Sequence, residues 1–258
     1  MPRSLVTGTE TKHTMSGHSK WHNIRLRKGK QDAVRSKSFT KLAAEIIVAA
    51  KNGGGNPDLN LSLRQAVDNA KKASMPADNI KRAIQRGTGE LAGANYEELT
   101  YEGYGPAKVA VLVQCLTDNK QRTVADVRSI FTKAGGKMGE SGSVAHLFES
   151  KGIFLFEPGT ATEEALMEIA LEAGAEDVTE AEGGGYEVST TFEDFFAVKA
   201  AIDAAKLAYV SGETAMIPLQ TKEVSGKDAE ALLKMIDRLE EHDDVQSVYA
   251  AFEMPDED

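Results

Sequence analysis

The sequence predicts a multi-domain α and α+β protein: an N-terminal three-helix domain followed by two α/β domains, the third ferredoxin-like and inserted in the second. Three observations predict it. Apolar residues recur at helical spacing up to about residue 86 and alternate after residue 96, with a glycine-rich linker over 87–95 between the two regimes. From residue 152 the patterns run β-α-β-β-α-β, the order of a ferredoxin-like unit. The strand, helix and strand after residue 218 are too few to stand alone, so they complete the sheet begun at 96–148. The expected units are a leader over 1–14, a basic helical domain over 15–90, a discontinuous domain over 91–150 plus 219–258, and an inserted domain over 151–218.

Residues 1–14 lack the apolar core of a secretory signal and are too short and arginine-poor for a mitochondrial presequence. Met15, directly before Ser-Gly-His-Ser-Lys-Trp, is read as the functional start. The spacing of Phe39, Leu42, Ala43, Ile46, Ile47 and Ala50 predicts a helix over 36–51, stopped by Gly53-Gly54-Gly55. Asn56 and Pro57 supply a cap and a first-turn proline for a second helix, with Leu59, Leu63, Ala66, Val67 and Ala70 inward. Met75-Pro76 opens a third helix with Ile80, Ala83 and Ile84 inward, ending at Gly87. Strands are expected over 96–104 and 108–117, then a helix over 121–134 with Val124, Val127, Ile130 and Phe131 inward. A loop over 135–142 leads to strands over 143–148 and 152–157. Next come a helix over 162–173, strands over 177–181 and 186–190 joined through Gly183-Gly184-Gly185, a helix over 192–206 and a strand over 208–217. A strand near 218–224, a helix over 226–241, a strand over 245–253 and an acidic tail finish the chain.

Apolar residues make up 41% and charged residues 27% of the 258, an ordinary globular balance, and no apolar run approaches the ~18 residues of a membrane span. The single Cys115 excludes an internal disulfide and suits a reducing compartment. It lies in the apolar run 109–116, which reads as a buried strand, so its role is packing. The net charge of −10 would argue against a polyanionic partner, but its distribution reverses that. Residues 1–90 carry 17 Lys+Arg against 7 Asp+Glu, net +10, and the remainder carries 13 against 33, net −20. That split reads as a basic module for a polyanion on an acidic body that repels stray nucleic acid. The charge is densest over 16–41, where Lys20, Arg25, Arg27, Lys28, Lys30, Arg35, Lys37 and Lys41 face one acid, Asp32. The chain's one tryptophan, Trp21, sits there between His18 and His22. Such cations displace counterions from a phosphate backbone, and the ring can stack on a base; a solvated basic face with Trp21 as a core anchor is the plain alternative.

Other motifs carry less. His18-x-x-x-His22 has metal-ligand spacing on a helix, but Lys20 and Arg25 would repel a cation and no Cys or carboxylate accompanies it, so no metal is expected. The loop 135–142 lacks the Gly-Lys-Ser/Thr of a Walker site and follows a helix instead of a strand. Neither Gly-x-Ser-x-Gly nor His-Glu-x-x-His occurs. The expectation is a non-enzyme with no cofactor.

One set of segments, taken together and in order, is specific. They are Gly17-His-Ser-Lys-Trp-His-Asn-Ile24, Ala49-Ala50-Lys51, Asn56-Pro57, Met75-Pro76 with Ile80-Lys-Arg-Ala-Ile84, and Tyr101-Glu-Gly-Tyr-Gly-Pro106. Asn119-Lys-Gln-Arg-Thr123, Gly135-Gly-Lys-Met-Gly-Glu-Ser-Gly-Ser-Val144 and Asp243-Asp-Val-Gln-Ser-Val-Tyr249 complete it. With these the chain resembles the YebC/PmpR family, which includes mitochondrial translational activators of cytochrome oxidase, from about Met15 to Glu253. The 14-residue leader departs from that pattern. The resemblance implies three domains, the third inserted in the second, and a non-enzymatic cytoplasmic regulator. Bacterial members are described as DNA-binding transcriptional regulators; others act on translation at the ribosome.

The expected function is therefore a bacterial cytoplasmic DNA-binding regulator of transcription docking through 16–90. The eight cations of 16–41 would contact phosphates, Trp21 would stack or anchor, and His18, His22 and Asn23 would make polar contacts. Lys71, Lys72, Lys81, Arg82 and Arg86, on outer helix faces, would extend the surface. The alternative is a ribosome-associated translation factor using the same face on ribosomal RNA, and the acidic domains could engage ribosomal or polymerase proteins. None of the three N-terminal helices shows a row of Arg, Asn or Gln suited to reading base edges, so backbone contact is expected to dominate.

Overall fold

Three helices come first in the structure, a computed structural model that describes residues 39–93, 95–181 and 184–255. Helix α1 (Phe39–Gly53) buries Leu42, Ile46, Ile47 and Ala50 against α2 (Leu61–Lys72) and α3 (Ala77–Gly87). Each fully buried leucine or isoleucine in this core contributes roughly 2 kcal/mol by leaving water. Helix α1 ends where Gly54 takes φ +84°, a conformation that only glycine adopts freely. A Cβ on Gly87 would stand 2.4 Å from Ile47 O, so a glycine there lets α3 close onto α1.

The second helix starts later than its proline suggests. Its cap is Asn60, whose Oδ1 accepts from Leu63 N at 3.0 Å while Nδ2 donates to Ala49 O and Gly54 O. One buried amide thus joins the end of α1 to the start of α2. Leu59, expected on the buried stripe, precedes that cap and is 84% exposed. Phe39, expected on the apolar face of the first helix, is also exposed.

Sheet one has the strand order β3-β1-β2-β9 and is antiparallel: β1 (Glu97–Tyr104), β2 (Ala110–Thr117), β3 (Lys137–Met138) and β9 (Val245–Ala250). Helices α4 (Lys120–Lys133) and α7 (Gly226–Glu241) cover one face over Val111, Val113, Cys115, Phe131, Leu232 and Val248. The opposite face is closed in two places. Ala110, Leu112 and Tyr249 meet Phe148 and Ala215, and Leu116 meets Ala44 and Val48 of α1. Buried on both faces along most of its length, β2 is apolar apart from half-buried Gln114 and the terminal Thr117. Burial pushes the Cys115 thiol up to about 12, which keeps it protonated.

Sheet two has the order β5-β6-β4-β7, also antiparallel: β4 (Phe148–Phe156), β5 (Ala175–Ala181), β6 (Gly185–Thr191) and β7 (Ser211–Pro218). Helix α5 (Glu163–Leu166) widens into a π-type turn over Met167–Leu171 and, with α6 (Phe195–Ala204), covers the face carrying Phe154, Phe156 and Val188. The chain leaves sheet one after β3, builds all of sheet two in β-α-β-β-α-β order, and returns to sheet one through α7 and β9. Short strands β8 (Lys222–Glu223) and β10 (Phe252–Glu253) pair in parallel beside it.

The strand expected near 218–224 shrinks to Lys222–Glu223, the stretch 135–142 expected as a loop contains β3, and two further expected strands differ. Residues 143–148 do not form a strand of their own: 145–147 is a 3₁₀ turn, and β4 runs unbroken from Phe148. The reason is Glu102, a buried carboxylate on β1 that accepts from Gly142 N, Val144 N and Ala145 N at 2.6–2.7 Å. Those amides cannot also serve a ladder. The expected strand 245–253 breaks at Ala251, whose N donates to Ala110 O, before β10 turns to β8.

Candidate nucleic-acid interface

The predicted cations of the helical unit that the structure leaves exposed sit on two of its helices. Lys71 and Lys72 end α2, where positive charge complements the helix dipole, and Lys81, Arg82 and Arg86 lie along α3. All five are exposed because the opposite sides of these helices carry Leu63, Ala66, Val67, Ala70, Ile80 and Ala83 into the core.

Their settings differ. Lys71 Nζ lies 3.8 Å from Asp68 Oδ1, an exposed pair that water screens. Arg82 folds back on its own first turn, donating to Asn79 Oδ1 at 2.6 Å and Asp78 O at 3.3 Å. The linker passes over the stem of Arg86, since a Cβ on Gly93 would stand 3.0 Å from its Cδ. Lys72 reaches across to sheet two, with Nζ 5.7 Å from the centroid of the Tyr209 ring.

Lys41 does not join this surface. Only 7% exposed, it donates from Nζ to Glu240 O at 2.6 Å, at the carbonyl end of α7. Its charge meets the negative end of a helix dipole and ties α1 to the body. Spacing alone placed it with the phosphate contacts because its partner is 199 residues away. His18, Lys20, Trp21, His22, Asn23, Arg25, Arg27, Lys28, Lys30, Arg35 and Lys37 lie outside the described residues.

Two further cations belong to the same unit and were not among the expected phosphate contacts. Lys51 donates to Asn95 Oδ1 at 2.7 Å and fastens the linker, and Arg64 donates to Pro57 O and Asp58 O across the α1–α2 connection. Both have local structural partners.

Beneath the junction lies Asp244. It accepts from Thr123 Oγ1 at 2.7 Å, from Thr117 Oγ1 at 3.1 Å, and from Arg122 through Nη2 and Nε at 2.9–3.3 Å. Burial works to raise its carboxyl, but the hydrogen bonds from Thr123 and Arg122 outweigh it and hold the group below the usual carboxylate range. The 119–123 and 243–249 segments, far apart in the sequence, thus meet in one network that joins β2, α4 and β9.

A concavity of about 380 Å³ in sheet two is lined by Glu149, Lys151, Glu176, Thr191, Phe192 and Glu193, among others. Its acids surround Lys151, which pairs with Glu176 at 3.1 Å, so its field is wrong for a polyanion. Among the described residues no group of three or more His, Cys, Asp or Glu is placed to hold a metal ion, and no helix is long and apolar enough to cross a membrane.

Comparisons with known proteins follow this division of the chain. Residues 19–90 match the TACO1/YebC protein N-terminal domain, and residues 96–252 match the TACO1/YebC second and third domain. A protein of Acidithiobacillus ferrooxidans named "Probable transcriptional regulatory protein" is 54% identical, across 95% of this chain and 97% of its own length. Proteins with that designation in Geobacter sulfurreducens and Desulforapulum autotrophicum are 53% and 52% identical, across 95% and 94% of this chain and 98% of theirs. The crystal structure of the conserved hypothetical protein Aq1575 from Aquifex aeolicus superposes with a TM-score of 0.78 at 44% identity, covering 88% of this chain and 93% of that one.

Proposed function

The chain belongs to the TACO1/YebC family, and on that footing we propose that it is a non-enzymatic, DNA-binding regulator of transcription that grips the phosphate backbone through its N-terminal ninety residues. The observation that carries this reading is the charge split, net +10 before residue 91 and net −20 after it. The exposed Lys71, Lys72, Lys81, Arg82 and Arg86 add support, presented on rigid helices of the same unit. Lys20, Arg25, Arg27, Lys28, Lys30, Arg35 and Lys37 would supply most of the phosphate contacts, with His18, Trp21, His22 and Asn23 among them. The names of the bacterial relatives favour transcription as the process. The acidic remainder would keep the rest of the molecule off the polymer and confine contact to one side.

Phosphates are common to DNA and ribosomal RNA, so the experiment carries both. Binding of the full chain to labelled duplex DNA and to structured ribosomal RNA is measured from 50 to 200 mM salt. Neutralising about six duplex phosphates gives a log–log slope near −5. Affinity that does not change with salt would refute electrostatic docking. Binding to the RNA alone would move the function to translation.

A further inference from the structure

We propose that the basic segment ahead of α1, residues 16–37, docks on the face of sheet two that α5 and α6 leave open, so that the body and a nucleic acid compete for the same cations. The docking stands apart from the function proposed above; only the competition rests on it.

Sheet two carries its helices on one side. Phe154, Phe156 and Val188 enter the core beneath α5 and α6, and alternation sends Ile153, Leu155 and Glu187 to the opposite side. A sheet with nothing over that side would leave its central side chains partly in water. Instead Ile153 and Leu155 are 3% exposed and Glu187 6%. Among the described residues no hydrophobic cluster includes Ile153 or Leu155. Ser211 on β7 is in register with Leu155, and its buried Oγ has no hydrogen-bond partner among the described residues. These side chains call for a cover with apolar surface and polar groups.

The surrounding charge selects the cover. Glu149, Asp177 and Glu213 stand exposed on the same side of the sheet. Lys151, also on that side, is already held by Glu149 at 3.6 Å and Glu176 at 3.1 Å. Residues 16–37 bring seven Lys/Arg against Asp32, with Trp21, Ile24 and Leu26 among them. The cations meet the exposed acidic rim and the apolar side chains lie over Ile153 and Leu155. Glu187 remains beneath that layer, unpaired.

The attachment point is near. Helix α1 is fixed to the body through Lys41 and through Ala44 and Val48 on Leu116, and Lys72 of the same unit touches Tyr209 beside sheet two. About twenty residues span at most roughly 70 Å when extended, whereas four strands are about 15 Å across. Tethering holds the cations near this face at an effective concentration of about a millimolar.

The full chain, dilute and at low salt, is treated with a carbodiimide that joins amines to carboxylates in contact. Mass spectrometry is expected to find Lys28, Lys30 or Lys37 joined to Glu149, Asp177 or Glu213 within one chain, and high salt or added duplex DNA removes these links. Brief trypsin digestion is an independent reading. Asp177→Asn combined with Glu213→Gln speeds cleavage after Lys28, Lys30 and Arg35 at low salt, whereas Glu230→Gln, at an exposed position on α7, does not. Thermal melts confirm that the variants are folded. If the docked form holds about two-thirds of the molecules, the double variant binds duplex DNA about threefold more tightly. Links absent from this face, or cleavage unchanged in the double variant, overturn the proposal. Links found only between two chains overturn it in favour of a second copy. Links that form and persist under excess duplex DNA and ribosomal RNA uphold the docking and refute the competition. If neither polymer binds at all, the function proposed above falls and the docking stands.

Discussion

The lysines of the helical unit fall into two populations that composition cannot distinguish. Lys81 stands in water on the outer face of α3, whereas Lys41, two helices earlier, is buried against the last carbonyls of α7. The first is available to a partner; the second holds the helical unit on the body. The same contrast separates the acids. The surplus of Asp and Glu after residue 90 is largely solvated, but Asp244 and Glu102 are enclosed and organise backbone from within. What a charged group does here follows from the group opposite it in space.

Four substitutions test that contrast. The largest effect is expected at the junction. Asp244→Ala leaves Arg122, Thr117 and Thr123 without their common acceptor and should cost about 4 kcal/mol, read as a fall in thermal midpoint. A loss under about 1 kcal/mol would mean that water replaces the carboxylate. In the parent chain this carboxylate sits below its ordinary 3.8, so its contribution is present above that pH and disappears as pH drops through the folded value.

Glu187 has the opposite sign. Burial on β6 lifts it to about 7 from 4.5, and Oε2 has no hydrogen-bond partner. Below pH 4.5 it is neutral whether folded or not. As pH rises to about 7 the unfolded chain ionises first, and stability falls by about 3 kcal/mol before levelling. Glu187→Gln should therefore be more stable than the parent by that amount at pH 8 and equal to it near pH 4, in denaturant titrations at the two pH values. Equal gains at both would show that packing, not ionisation, is responsible.

Lys41→Met comes next, at about 2 kcal/mol for a charge-assisted hydrogen bond, with the salt slope of nucleic-acid binding unchanged. A flattened slope would return Lys41 to the binding surface. Lys81→Gln is smallest in stability, within about 0.5 kcal/mol, yet should weaken nucleic-acid binding measurably. A destabilised Lys81 variant would erase the distinction between the two populations.

How much of this was legible beforehand depended on the range of the forces involved. The β-α-β-β-α-β order of sheet two was readable because its period changes are local and its strands are contiguous. The mostly apolar stretch 109–116 read as a buried strand, which sheet one bears out. The strand expected over 143–148 was misread because its amides are captured by Glu102, some forty residues earlier. Leu59 was misplaced because Asn56-Pro57 imitates a helix start and Asn60 makes the real one. At the candidate interface, Lys71, Lys72, Lys81, Arg82 and Arg86 were recognisable as outward from helical spacing, whereas the roles of Lys41 and Tyr209 depend on partners no local pattern reveals.

The detour of the chain through sheet two also sets a timetable for biosynthesis. Strand β2 emerges early, but its second neighbour β9 is made more than a hundred residues later, which at about 5–20 residues per second is on the order of ten seconds. Throughout that interval an apolar strand has one edge of amides and carbonyls unmatched, a template for pairing with another nascent copy. Sheet two, whose strands are consecutive, can close while β2 waits. Chaperone demand during translation should therefore peak before the last strand is released, and any truncation ahead of Val245 should drive the product into inclusion bodies.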